Sequence, residues 1–357
     1  MTIEVHQLLS NLDYGDAISN QAIELRGILR SRGYGSNIYA RYIHPRMNSE
    51  CYFYREHSKR SSGENVVIFH HSIASEVSDY ILGLPDKKIM VYHNITPGRF
   101  FLPFDRDLAY LLKKGREELK NLAGVPFLAL GDSGFNAEEL RALGYRNVDT
   151  LPIIIDRGLL SSKPDQGVMG RYNDGKTNVL FVGRVVPNKR FEDIIKAFYF
   201  YQRHINRSSR LLLVGSYKNL ENYHAALAGL VKRLGLEDVV FAGHVTQSEL
   251  NAYYRSSHLF LCMSEHEGFC VPLVEAMHFN LPVLAFASSA VPETLGNGGI
   301  LFREKRYEEV AELMDLVLTD EDIRRKITEA QKIKLKDFDG KKIGELFISH
   351  IEAVRAS

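Results

Sequence analysis

Short apolar runs alternate along the chain with longer segments whose apolar positions recur at helical spacing. The runs at residues 3–9, 65–70, 88–92 and 127–130 form one set, and those at 178–182, 211–214, 239–241, 259–263 and 282–286 form a second. A hydrophobic period that switches repeatedly from strand-like to helical predicts β-α-β units and parallel sheets. Between the sets lies a polar, glycine-containing stretch at about 157–176, with the composition of a linker. The pattern therefore predicts two doubly wound α/β domains, at residues 1–165 and 166–340, facing each other across a cleft. A last helical stretch at about 341–357 follows the Phe338-Asp339-Gly340 break and could belong to either domain, packing back on the first being one of the two readings.

Length agrees with this division, because 357 residues exceed what one hydrophobic core usually organises. The 45 Lys and Arg against 44 Asp and Glu leave no basic footprint, which argues against a nucleic-acid partner. Cys51, Cys262 and Cys270 form no C-x-x-C pair, and a reducing compartment is the simplest reading. Residues 1–7 lack a basic stretch leading into an apolar run, and no stretch of 18 apolar residues occurs, so a cytoplasmic protein is expected. Lys113-Lys114-Gly115-Arg116 and the Arg26, Arg30 and Arg32 set raise peripheral contact with an anionic membrane as a further expectation, against which stands the plain reading of solvated helix faces.

Ligands of doubly wound sheets bind where strands end and helices begin. After the run at 178–182 comes Gly183-Arg184-Val185-Val186-Pro187-Asn188-Lys189, in which a planar guanidinium and a mobile ammonium suit a diphosphate. After 259–263 comes Ser264-Glu265-His266-Glu267-Gly268-Phe269-Cys270-Val271-Pro272, then a helix carrying Glu275. Gly268 and Pro272 favour a turn into that helix, whose first amides and positive dipole end attract an anion. At about 1.5 Å of rise per residue, Glu267 and Glu275 are roughly 12 Å apart, too far to act as an acid–base pair on one bond. They read instead as grips on two ends of one extended ligand. In the first half, Gly15 opens a helix after the first strand, but no G-x-G-x-x-G supports a dinucleotide cofactor. His70, His71 and His93 end neighbouring strands, and zinc and structural hydrogen bonding are both open readings for them. Asp132-Ser133 with Asn136 reads as a strand end followed by a helix cap.

These residues resemble the family-4 retaining glycosyltransferases of the GT-B fold. The resemblance rests on Gly183-Arg184…Pro187…Lys189, Val214-Gly215, Phe241-Ala242-Gly243-His244-Val245, the E-x7-E segment Glu267…Glu275-Ala276-Met277, and Pro282-Val283…Val291-Pro292-Glu293-Thr294. It implies two Rossmann-like domains and transfer of a sugar from a UDP- or GDP-linked donor to a hydroxyl of a glycan or lipid-linked acceptor, in bacterial surface polysaccharide synthesis, without metal or cofactor. By the same resemblance, Arg184 and Lys189 would hold the diphosphate and Glu275 the ribose. Glu267, with the amides of Gly268 and Phe269, would meet the donor sugar. His93 would contact that sugar beside the reacting carbon, His244 and Val245 would wall the base, and Gly15 would approach the phosphates. Two positions depart from the family pattern: Gly15-Asp16 stands where many members have Gly-Gly, and Cys270 replaces a glycine. A sugar-nucleotide epimerase or a phosphorylase on the same architecture, and a non-catalytic nucleotide-sugar-binding subunit, are the competing readings.

Overall fold

The computed structural model describes residues 3–356, so Met1, Thr2 and Ser357, parts of the expected terminal segments, lie outside the described residues. The chain divides into two compact units. One takes the described residues through Arg99, then Asp107–Ile155 and the chain from Phe338 onward; the other takes Phe100–Arg106 and Asp156–Asp337.

The first unit is built on a parallel sheet of strands β1 (Val5–Leu12), β2 (Ile38–Ile43), β3 (Tyr52–Phe53), β4 (Val66–His71), β5 (Lys87–Tyr92), β6 (Leu128–Gly131) and β7 (Val148–Thr150), in the spatial order β3-β2-β1-β4-β5-β6-β7. Its central strands β1 and β4 are buried apart from Asn11, as strands covered on both faces by helices must be. The last helix, Gly340–Ala356, inserts Ile343, Phe347, Ile351 and Val354 into one cluster with Val5, Val66, Ile68, Ile89 and Val91. Each such fully buried side chain contributes on the order of 1.5–3 kcal/mol, so the helix belongs to the core of this unit. Helix starts are set by local chemistry: Asp16, Ser75 and Ser133 each accept an amide hydrogen of the first turn, a cap worth about 1 kcal/mol.

The second unit contains a parallel sheet of β8 (Thr177–Val182), β9 (Ser209–Val214), β10 (Val239–Gly243), β11 (Leu259–Cys262), β12 (Val283–Phe286) and β13 (Ile300–Phe302), ordered β10-β9-β8-β11-β12-β13. The strand order reverses between β8 and β11, and the loops after these strands flank a topological switch point. In the first unit the corresponding reversal lies between β1 and β4.

The structure adds β2, β3, β7 and β13 to the strands expected from the sequence. β3, β7 and β13 have only 2, 3 and 3 residues, too short for a period to register, and Arg41 and Tyr42 break the apolar character of β2. The expected linker is also ordered. It holds helices Arg157–Leu160 and Gln166–Tyr172, capped by Asp156 and Asp165, and Asn251 Nδ2 ties it down through Leu159 O at 2.8 Å and Ser162 Oγ at 3.0 Å. The division of the chain thus falls after Ile155, before this segment.

Candidate functional site

The loops after β8 and β11 bring two side chains together at the switch point of the second unit. Lys189 Nζ lies 2.6 Å from Glu267 Oε1, with only 14% and 10% of the two side chains exposed. Burial acts most strongly on Lys189 and opposes its charge, but the Glu267 carboxylate overrides it and holds the ammonium above its ordinary range. Lys189 is therefore a fixed cation with a counterion. Arg184, by contrast, is exposed on the same loop.

Backbone geometry explains how the lysine reaches that position. Pro187–Lys189 forms a single 3-10 turn, and Arg190 follows in the left-handed region at φ 54°. Gly183, at φ 155°, leaves room for the lysine stem: a Cβ there would sit 2.9 Å from Lys189 Cδ. A Cβ on Gly215 would lie 1.9 Å from Gly183 O, so the loops after β8 and β9 pass each other only because that position is glycine.

Cross-loop bonds fix the Lys189–Glu267 register. Glu265 N donates to Asn188 O at 2.8 Å, and Asn188 Nδ2 donates to His266 O at 2.9 Å. Behind them Lys305 Nζ bridges Asp193 at 2.8 Å and Glu265 at 2.9 Å, while Arg190 reaches Asp193 at 2.9 Å. Glu267 N donates to Ser289 Oγ at 2.7 Å, and Thr294 Oγ1 donates to Phe269 O at 2.6 Å. The sequence reading named none of Asn188, Asp193, Glu265 or Lys305 as site residues. Asp193 follows Lys189 by four positions, a spacing that on a helix start carries no charge signal of its own.

Glu275 lies on helix Val271–His278, with Pro272 in the first turn as expected and Cys270 capping it in the left-handed region at φ 73°. Tyr254 OH donates to Glu275 Oε2 at 2.7 Å. Burial raises the Glu275 carboxyl above its usual range, and the tyrosine hydrogen bond works in the opposite direction. The other two cysteines, Cys51 and Cys262, are buried as well. His244 is exposed and Val245 half-buried after β10. Close to them, Tyr217 stacks on His224 with ring centroids 4.1 Å apart, and a Cβ on Gly243 would lie 3.8 Å from the Tyr217 ring.

In the first unit, the strand-end histidines form a buried chain of hydrogen bonds. Gln7 Nε2 donates to Ala22 O at 2.8 Å, and Gln7 Oε1 lies 2.9 Å from His70 Nε2. His70 Nδ1 is 2.8 Å from His93 Nε2, and His93 Nδ1 is 2.8 Å from Asp132 Oδ2. His71 turns away to Gly115 O at 3.2 Å, and burial lowers its pKa to about 4. Among the described residues no group of three or more His, Cys, Asp or Glu could hold a metal ion. The expectation of a ring contact between His93 and a sugar meets a structural obstacle, since both ring nitrogens are engaged and 1% of the side chain is exposed. Asp132, visible in the sequence only as part of a helix cap, is its partner. Gly15, at φ 75°, precedes the cap Asp16 of helix Ala17–Ser31.

The basic segments mix exposed and engaged side chains: Lys113, Lys114 and Arg32 are exposed, while Arg26 is buried. Lys113 and Lys114 lie 3.9 Å from Glu117 and 3.6 Å from Glu118. Arg26 is buried and donates to Glu50 O at 2.7 Å, and Arg30 is spent on Ser36 O at 2.9 Å. Among the described residues no helix is long and apolar enough to cross a membrane.

The family model for glycosyl transferases group 1 matches residues 169–334. A serotype-specific mannosyltransferase, WbdA of Escherichia coli, is 26% identical over 169 residues, covering 47% of this chain and 20% of that protein. The chain thus spans about a fifth of the length of that relative. Among solved structures, a sucrose-phosphate synthase from Thermosynechococcus elongatus superposes with a TM-score of 0.77 at 17% identity, covering 99% of this chain and 100% of that one. Anabaena HepE in complex with UDP-glucose gives a TM-score of 0.73 at 16% identity, covering 98% and 99%. Residues 169–334 are thus similar to the glycosyl transferases group 1 family, in a chain with the GT-B fold.

Proposed function

We propose that this protein is a retaining glycosyltransferase using a nucleoside-diphosphate sugar, UDP- or GDP-linked, and a hydroxyl of a glycan or lipid-linked acceptor, in the assembly of a bacterial surface polysaccharide. The observation that carries the reading is the Lys189–Glu267 pair at the switch point of the second unit, inside the segment matched by the family model. Relatedness to a mannosyltransferase and structural likeness to a chain that holds UDP-glucose support a sugar nucleotide as the donor.

In this reading the bond between the anomeric carbon and the diphosphate oxygen breaks and its electron pair leaves with the nucleoside diphosphate. The acceptor oxygen bonds to the same face of the sugar, and its proton passes to an oxygen of the departing diphosphate. Negative charge grows on the diphosphate, and Lys189, Arg184 and the start of helix Val271–His278 supply positive potential there, so the reaction needs no metal. A diphosphate entering the loop competes with Glu267 for the ammonium, which frees the carboxylate for a sugar hydroxyl beside Gly268 and Phe269. Glu275 takes the ribose hydroxyls, and His244 and Val245 take the base. With a lipid-linked acceptor the reaction runs at a membrane surface.

A thermal-shift panel of UDP, GDP and their sugars tests the reading. A ligand at 100 times its Kd adds about 2.7 kcal/mol of stability, and one base series should shift the melting of the second unit. A panel flat across all nucleotides would reject the proposal.

A further inference from the structure

The chain Ala22–Gln7–His70–His93–Asp132 fixes where its protons lie. A backbone carbonyl can only accept, so the 2.8 Å contact with Ala22 O orients the Gln7 amide with nitrogen toward Ala22 and oxygen toward His70. An amide oxygen also only accepts, so the 2.9 Å contact requires a proton on His70 Nε2. Burial, and secondarily His93, hold the His70 pKa well below its ordinary value, and a neutral imidazole protonated at Nε2 has a lone pair on Nδ1. That lone pair faces His93 Nε2 at 2.8 Å, which must then carry a proton. The opposite nitrogen, Nδ1, lies 2.8 Å from Asp132 Oδ2. Asp132 Oδ1 is buried without a hydrogen-bond partner, and burial raises the Asp132 pKa against the opposing influence of His93. His93 and Asp132 thus share one proton, as imidazolium and carboxylate or as imidazole and carboxylic acid. In both forms His93 Nε2 is a donor.

We propose that Gln7 and His70 are positioning residues that hold His93 protonated at Nε2, with that proton spent on His70 Nδ1 and the opposite nitrogen on Asp132, so that His93 offers no ring lone pair to a substrate and is never a general base. The structural half of this inference stands on the first unit alone. Its consequence for catalysis rests on the glycosyltransferase reading, because it denies His93 the task of deprotonating the acceptor hydroxyl. The acids and bases facing His93 are His70 and Asp132, with His71 close enough to sense its charge; Asn94 and Asn136, which bond to each other at 2.8 Å, do not titrate.

Histidine-selective nitrogen-15 labelling with long-range proton–nitrogen correlation reads the tautomers directly in the full-length protein. The expected result at neutral pH is His70 protonated at Nε2 alone and His93 protonated at Nε2, each assigned by signals lost in His70→Gln and His93→Gln. His70 protonated at Nδ1, or His93 with a bare Nε2, would overturn the proposal. Gln7→Glu preserves an acceptor toward His70 and should keep the tautomer pattern, whereas Gln7→Leu should abolish it. In Gln7→Leu, kcat with the donor identified by the nucleotide panel should fall by up to about 10²-fold, the cost of a misplaced group, with nucleotide affinity unchanged and kcat restored in Gln7→Glu. A Gln7→Leu protein with wild-type tautomers also refutes the relay. Absence of nucleotide binding by the wild type refutes the glycosyltransferase reading and leaves the tautomer measurement to decide the relay by itself.

Discussion

Lys189 and Glu267, 78 residues apart in sequence, meet at 2.6 Å with their side chains almost withdrawn from water. A charge pair this buried is costly to break from one side, because the remaining partner stays desolvated and unpaired. The pairing also means that the lysine reaches a diphosphate only by exchanging one anion for another.

Lys189→Ala should lower turnover on the order of 10²–10³-fold and cost about 3 kcal/mol of stability through the stranded carboxylate. Near-normal turnover would remove Lys189 from the mechanism. The sign of the pH dependence follows from the raised lysine pKa: its contribution is complete below the unfolded value of 10.5 and is lost as pH climbs through the folded value. The denaturation midpoints of wild type and Lys189→Met should therefore differ by a constant amount from about pH 6 to 9 and converge only in strongly alkaline solution.

Glu275 should show the opposite balance between stability and binding. Its folded pKa is raised above 4.5 by burial, so its contribution is most favourable in acid and declines as pH rises through the folded value. Glu275→Gln keeps an acceptor for Tyr254 OH and removes the charge. Its melting temperature should equal or exceed that of wild type at pH 7, with the gain absent near pH 4, and nucleotide binding should weaken by about 1–3 kcal/mol. Unchanged nucleotide affinity would refute the ribose assignment.

The base wall can be tested optically, since the chain contains no tryptophan. Tyr217, 36% exposed over His224 and close to Gly243, is a site for a reporter. Tyr217→Trp should show a change in emission on addition of the nucleotide that stabilises the wild type. An unresponsive spectrum at saturating nucleotide would place the base away from His244 and Val245.

Phe347 is fully buried among Val66, Ile68 and Ile89, and Phe347→Ala should cost about 3–5 kcal/mol. Hydrogen exchange locates that loss: protection should fall in β4 and β5 while β8 and β9 of the second unit keep theirs. Equal loss in both sheets would mean that the units unfold as one.

Periodicity made the central strands legible, because strands buried on both faces read as continuous apolar runs, as in the Leu211-Leu212-Leu213-Val214 run within β9. In the second unit, Lys189 and Glu267 stood out in the sequence because a diphosphate calls for cations on strand-end loops, and the structure pairs these two. The edge strands were not, since two or three residues carry no period, and the segment at 157–176 looked like a linker because its helices are held by caps and by Asn251 rather than by apolar surface.

By itself the sequence determined two sets of β-α-β units, the strand ends at which chemistry could sit, and the residue types available there. Only the tertiary structure decided which of those residues pair. Lys189 finds Glu267 because β8 and β11 are neighbours across the reversal of strand order, and His93 finds Asp132 and His70 because β5 lies between β6 and β4. Local pattern encodes each strand, but partnership between strand ends depends on sheet order, which is set by packing summed over the whole unit.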